Sequence, residues 1–338
     1  KIYLTVNTLL KENECTHELV DYIAPFYEAG LDACIVQDMG VFKILHSAFP
    51  DMHMHASTQM TQTGVYGSGL LYNNGARRIV TSREMTLDEI KALHKAYPDM
   101  EIESFVHGAM CYCYSGQCLM SSFNGGRSGN RGRCAQPCRL PYKVYDDGKL
   151  ISSADERYAL SPKDMCAIKI LPDIIDAGVY SLKIEGRMKT PYYVGTIVKA
   201  YRQAIDDYFE NPEYYKSRIP YYMSEVCKVS HRDFTTGFYF GKPGHDDQVY
   251  TSNTYIRNYD FIGMVVEDWD KETGCATVMQ RNKFEVGDVI EVLPQKGDSS
   301  EMTVTQMWDT DGVPIMSAPH PEQILKLKTD IPLKKFDM

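Results

Sequence analysis

The chain has 338 residues, 43% of them hydrophobic and 24% charged, with a formal net charge of −9. No apolar run approaches the roughly 18 residues of a membrane helix, and the acidic balance argues against indiscriminate adhesion to nucleic acid while leaving room for a local basic patch. At roughly 150 residues per domain, the length suggests two domains.

The first residues, Lys1-Ile2-Tyr3-Leu4-Thr5-Val6, alternate as a strand does and offer no cleavage site for a signal peptide. An initiator Met is absent, so the natural sequence is expected to extend before residue 1 or to be processed, and the protein is expected in the cytoplasm. From there a short β-rich run followed by a helical stretch recurs. Strands are predicted at 2–7, 33–37, 53–57, 78–81, 102–106 and 181–184, and helices at 18–29 and 87–96, where apolar residues return at helical spacing. Gly30, Gly75 and Gly178 stand where helix C-caps belong. Strands alternating with helices imply a parallel sheet.

Polar residues crowd just beyond each strand: Asn7 and Thr8, Gln37 and Asp38, Thr58 and Gln59, Arg83 and Glu84, His107, and Glu185 to Arg187. A barrel gathers all such ends around one mouth, whereas an open sheet offers a single crevice. The predicted fold class is therefore α/β, a (β/α)8 TIM-like barrel over 1–220 that lacks its first two βα units in this chain, because about eight strands are needed and six are found. A last long helix is predicted at 199–211. Beyond about 221, short alternating runs at 261–266, 275–280 and 289–293, divided by turn signals such as Asp270 to Gly274, predict a small β-barrel domain over 221–338.

Ten cysteines is a high count, and five of them fall between Cys111 and Cys138. Disulfide scaffolds are short and cysteine-dense throughout, so this clustering favours metal or redox chemistry. The run His107-Gly-Ala-Met-Cys111-Tyr-Cys113-Tyr-Ser-Gly-Gln-Cys118, then Arg133-Cys134-Ala-Gln-Pro-Cys138-Arg139, follows a predicted strand and belongs to an insertion at about 107–165 that hangs at the mouth. Glycine-rich chain lets backbone amides approach and hydrogen-bond the sulfurs of a bound centre. The spacing shows neither paired C-x2-C knuckles nor Cys/His pairs, which puts an iron–sulfur centre ahead of zinc, with buried free thiols as the plain structural alternative.

From Ser104 to Tyr145 there is no Asp or Glu, whereas Arg127, Arg131, Arg133, Arg139 and Lys143 are present. Arginines among Gly, Ser and Asn suit phosphate contacts, and equally they balance thiolates or acidic residues at the mouth. Ordinary hydrolase signatures are missing. His17-Glu18 is not followed by the second His of a zinc-protease helix, Gly126-Arg127-Ser128-Gly129-Asn130 fails the nucleophile elbow at its last position, and no P-loop occurs.

The stretch from Glu103 to Cys118 closely resembles the signature of the peptidase U32 (collagenase-like) family. The resemblance continues through Arg133-Cys134-Ala-Gln-Pro-Cys138-Arg139, Leu160-Ser-Pro-Lys-Asp-Met-Cys166 and Ser181-Leu-Lys-Ile-Glu-Gly-Arg187. The tail Lys283-Phe-Glu-Val-Gly-Asp-Val-Ile-Glu-Val resembles the family's elongation-factor-like β-barrel, and Cys113 departs from the pattern, where a small apolar residue is usual. The resemblance implies a four-iron (4Fe-4S) cluster held by Cys111, Cys118, Cys134 and Cys166, with Cys138 as substitute. It implies hydroxylation of RNA, most closely of the tRNA wobble uridine at C5, with prephenate as a required small carboxylate metabolite and a partner protein of the same family. A collagenase-like peptidase is the alternative, and a non-catalytic assembly factor in the same pathway is the third reading.

Glu84, Glu103, His107, Lys183, Glu185 and Arg187 are expected to face one cavity. His107 is the candidate proton shuttle, since its side chain titrates near neutrality, or else the group that orients the cysteine loop. Glu103 and Glu185 are the catalytic carboxylate candidates. Lys183 and Arg187 are expected to bind a carboxylate metabolite or phosphate, unless ion pairs with Glu185 or Glu84 claim them. Arg127, Arg131 and Arg133 are the candidate RNA contacts, with Gln59 and Gln37 as orienting amides.

Overall fold

Ala33-Cys34-Ile35-Val36 is apolar and buried at every position, as a parallel strand covered on both faces must be. It is the second of five strands that pair in parallel and in chain order: β1 (Tyr3–Val6), β2 (Ala33–Val36), β3 (His53–Ala56), β4 (Ala76–Val80) and β5 (Glu101–Gly108). The strand Ser181–Ile184 adds a sixth, parallel to β5, with Glu103 opposite Ser181. All six strands predicted from the sequence are therefore present. Leu19–Glu28, Met39–Ala48, Val65–Asn73 and Leu87–Ala96 are the helices between them. Asp38 caps the second by accepting from the Val41 amide at 3.0 Å, and Thr86 and Glu89 close a capping box on the fourth. Ile23, Phe42, Leu45, Ile90 and Leu93 from these helices are fully buried, each contributing roughly 1.5–3 kcal/mol. Gly178 shows why a glycine ends a helix here: its φ is +87°, and a Cβ would lie 2.3 Å from the His94 ring.

This computed structural model describes residues 1–338, the side chains of Thr16 and His17 apart. It forms two compact units, Lys1–Glu185 with His231–Ile256, and Gly186–Ser230 with Arg257–Met338. In the first unit, the strand Asp164–Cys166 runs antiparallel to the end of β5, placing Cys166 opposite His107, and Phe234–Thr235 pairs alongside Asp164 and Met165. The Tyr239 hydroxyl donates to the Phe105 carbonyl, which fastens the returning segment to β5.

The second unit carries the helices Pro191–Glu210 and Pro212–Val226 and a five-stranded antiparallel sheet. That sheet runs Gly263–Asp270, Cys275–Gln280, Ile324–Lys328, Met307–Trp308, Pro314–Ile315 around a core that includes Val265, Val278, Leu325 and Leu327. No helix among the described residues is long and apolar enough to cross a membrane.

Among the described residues β1 pairs only with β2, and Ser181–Ile184 only with β5, so the sheet is open and its closure into a barrel is not seen. Two points differ from expectation. The helix expected at 199–211 begins at Pro191, capped by Thr190. Asn211 then accepts from the Glu213 and Tyr214 amides and starts a further helix, which carries the chain across the boundary expected at 220/221.

Candidate thiol centre and nucleic-acid interface

Side chains alternate across a strand, so Glu101, Glu103 and Phe105 of β5 share one face, and the register with Ser181–Ile184 shifts between Phe105 and His107. That face is laced with charge. Arg78 on β4 donates to Glu101 at 2.7 Å and to Glu103 at 2.9 Å, while Lys183 and Ser181 donate to Glu103 at 2.6 and 2.8 Å. Burial alone pushes the Glu103 carboxyl up; Lys183, Ser181 and Arg78 together reverse this and hold it below the ordinary carboxylate range. A carboxylate so fixed is a structural counter-ion rather than a group poised to exchange protons near neutrality. Arg78 escaped the sequence reading, although an arginine at an inward strand position was the available signal.

Farther along, the Arg83 guanidinium lies 3.8 Å from the Phe105 ring and 3.5 Å from Glu185. Glu84 accepts from the amide and hydroxyl of Ser115 at 3.0 and 3.3 Å. His107 is buried against Phe234, with ring centroids 5.6 Å apart, and Phe234 stacks on His231 at 4.6 Å. Of the six residues expected around one cavity, Glu103 pairs with Lys183, Glu185 pairs with Arg83, and Glu84 holds the loop, with Arg83 and Lys183 both over the Phe105 ring; Arg187 belongs to the second unit.

Where the chain leaves β5, the cysteine insertion crosses the C-terminal strand ends. Gly116, at φ +76°, packs so closely that a Cβ would lie 2.1 Å from the Gln59 carbonyl. Thr61 donates to the Ser115 carbonyl at 2.7 Å, and the Leu9 amide donates to Asn130 at 3.0 Å, beyond β1. Buried Arg139 braces both ends of the insertion, donating to Met110, Ser161 and Pro162 at 2.9, 3.0 and 2.7 Å. Beneath lie acceptors with nothing to accept from: Gln37, Gln59 and Gln62 Oε1 and Glu84 Oε2 are buried without partners among the described residues. Buried acceptors of this kind call for a ligand or water that donates to them.

The insertion brings thiols near one another. Burial first, and the neighbouring Cys118 thiol second, push the Cys113 thiol up to about 11, and the Gln136 amide donates to the Cys134 sulfur at 3.3 Å. Burial raises the Cys138 thiol, Arg139 opposes the rise, and Cys111, Cys134 and Cys118 reinforce it. Cys138 therefore stands within electrostatic reach of three of the expected ligands, while Cys166 lies across from His107. Among the described residues no three His, Cys, Asp or Glu side chains converge closely enough to hold a single ion. A multi-iron cluster is larger and spreads its ligands wider, and thiolates already receiving backbone N–H bonds are the donors it uses.

The candidate RNA arginines are not equivalent. Arg131 is tied to Glu14 at 2.7 Å and to the Leu9 carbonyl at 2.7 Å, and the pairing holds the Glu14 carboxyl down to about 2. Arg127 and Arg133 are exposed; Arg127 donates to the Arg133 carbonyl at 3.2 Å, and neither forms an ion pair among the described residues.

Residues 1–249 match the family model described as peptidase family U32, and residues 257–338 match the peptidase family U32 C-terminal domain. The chain belongs to peptidase family U32. This U32 chain is 37% identical over 335 residues to tRNA hydroxylation protein P1 of Bacillus subtilis (strain 168), covering 98% of the chain and 78% of that protein. It is 44% identical over 211 residues to the 23S rRNA 5-hydroxycytidine C2501 synthase of Escherichia coli (strain K12), covering 62% of the chain and 31% of that enzyme. It is also 32% identical over 303 residues to a collagenase of Porphyromonas gingivalis (strain ATCC BAA-308 / W83), covering 86% and 72%.

Proposed function

We propose that this U32 chain is an RNA hydroxylase whose insertion holds a 4Fe-4S cluster through Cys111, Cys118 and Cys134, with Cys138 or Cys166 as the fourth ligand. The observation that carries the reading is a set of neighbouring thiols over the strand ends, in a stretch of chain that has no Asp or Glu and carries the exposed Arg127 and Arg133. Relatives named for tRNA and rRNA hydroxylation support it. A cluster at this place supplies one-electron chemistry when bound. The chain's own residues do the rest. The amides of Gln37 and Gln59, which offer both a donor and an acceptor, and the Glu84 carboxylate meet the edge of a base. Arg127 and Arg133 meet its phosphates. His107 stands at the end of β5, where a proton must be received or delivered.

The finer reading is the wobble uridine of tRNA, hydroxylated at C5, because a base in the anticodon loop is already splayed and costs little to unstack. A small carboxylate such as prephenate would need a cation, for which Lys183, paired with Glu103, and Arg187 are the candidates. The six sequential parallel strands, with the site at their C-terminal ends, fit a (β/α)8 barrel. The test is nucleoside analysis of tRNA from a deletion strain. Loss of 5-hydroxyuridine derivatives, restored by the intact gene, supports the reading; unchanged RNA defeats it.

One observation favours a peptidase instead: Cys166 lies directly opposite His107, an arrangement from which a thiolate nucleophile is built. Gelatin cleavage by the purified protein, lost in Cys166→Ala with tRNA unchanged, would establish that reading.

A further inference from the structure

Aromatic side chains are normally buried, yet around the thiols they are turned outward. Tyr112 is 50% exposed, Tyr114 61% and Phe123 82%. Tyr112 and Tyr114 alternate in the chain with Cys111 and Cys113, so both rings sit within one residue of the clustered cysteines. Phe123 rides on the short helix Met120–Gly125. The next turn is bound back to that helix, with the Arg127 amide donating to the Ser121 carbonyl at 3.1 Å and the Ala135 amide to the Ser121 hydroxyl at 2.8 Å. Arg127 in turn donates to the Arg133 carbonyl at 3.2 Å, which ties both exposed arginines to the segment that carries Phe123.

Apolar rings alone say only that something covers them. The surrounding charge says what. No carboxylate occurs from Ser104 to Tyr145 in a chain of net charge −9; Glu84 and Glu14, which reach this segment, are engaged by Ser115 and Arg131, and Arg127 and Arg133 in the same segment are exposed. Exposed π-faces and guanidinium groups on one segment match a single strand whose bases are unstacked and whose phosphates are anionic. A duplex keeps its base faces stacked inside and has no use for exposed rings.

We infer that Tyr112, Tyr114 and Phe123 form a stacking platform for unpaired bases of an RNA loop, with Arg127 and Arg133 taking the flanking phosphates. This rests on the RNA reading above and assigns its specificity: the platform selects looped over paired RNA and delivers one base to the thiol centre.

The full chain is tested for binding to a hairpin RNA with a seven-nucleotide loop and to a blunt duplex of equal length, under anaerobic conditions at one salt concentration. The unaltered protein should prefer the hairpin. Tyr112→Ala and Tyr114→Ala should each weaken hairpin binding roughly 10-fold or more, while Tyr112→Phe and Tyr114→Phe keep it, because the ring and not the hydroxyl stacks. Iron content and melting temperature should not move in the alanine variants, which separates lost stacking from lost folding. Equal binding of hairpin and duplex, or hairpin binding unchanged in the alanine variants, overturns the platform and leaves the RNA reading standing. Unchanged hairpin binding with a shift in oligomeric state would overturn it in favour of a protein interface. No RNA binding by the unaltered protein would overturn both.

Discussion

The inner face of the parallel sheet and the cysteine insertion are both rich in polar groups, but they dispose of them in opposite ways. On the sheet, Arg78, Glu101, Glu103 and Lys183 answer one another inside a buried network. In the insertion, neighbouring thiols add to the upward push of burial on Cys138, Arg127 and Arg133 form no ion pair among the described residues, and Gln37, Gln59 and Glu84 at the strand ends keep buried acceptor atoms without partners. A buried charge network stabilises only while complete. Exposed guanidinium groups and orphaned acceptors are completed by something else. The sheet face is therefore scaffold, and the insertion is the working part.

That division can be broken most severely at Glu103. Glu103→Ala leaves Arg78 and Lys183 facing each other without their shared carboxylate, and removing one member of a buried pair costs about 3–5 kcal/mol. Urea unfolding should show a loss of that size; a loss below about 1 kcal/mol would mean the network is not structural.

His55, on the same sheet, gives the next effect. Burial first, and Arg78 second, pull its imidazole down from 6.5 to about 4, so the folded state keeps it neutral where the unfolded chain would protonate it. Its contribution is complete above the unfolded value near 6.5 and is lost as pH falls toward 4. At about 1.4 kcal/mol per tenfold change the total is roughly 3 kcal/mol. Denaturation measured from pH 7 to pH 4 should decline accordingly, and His55→Phe should flatten that decline.

In the insertion, Arg139→Met removes the brace on Met110, Ser161 and Pro162 and should cost about 2 kcal/mol. Faster limited proteolysis within 107–165 is the expected sign, and an unchanged rate would count against the brace. The smallest effect belongs to Arg131→Ala. It breaks a pair of the same chemistry as Arg78–Glu101 but near solvent, and the melting temperature should stay where it is.

The same contrast explains what could be read in the sequence. Short runs between polar strand ends marked all six parallel strands; burial on both faces leaves the clearest local trace at β2, and the half-buried β1 and Ser181–Ile184 show it less. The thiols and the acid-free arginine stretch were legible as residue counts. The Arg78–Glu103–Lys183 network was not, since its members come from three strands and meet only through register. Asp164–Cys166 and Phe234–Thr235 are too short to show a period, and the return of His231–Ile256 to the first unit is a long-range pairing with no local signal. Arg131 and Arg139 looked like Arg127 and Arg133, arginines in one basic stretch; only their partners separate a strut from an exposed guanidinium.

The central claim, that the insertion works while the sheet merely holds it, meets its most direct test in Cys118→Ala. The variant is purified anaerobically, assayed for iron and melting temperature, and expressed in the deletion strain for nucleoside analysis. The account predicts a melting curve close to that of the unaltered apoprotein, no bound iron, and no restoration of hydroxylated nucleosides. Restored hydroxylation by iron-free Cys118→Ala protein would contradict it.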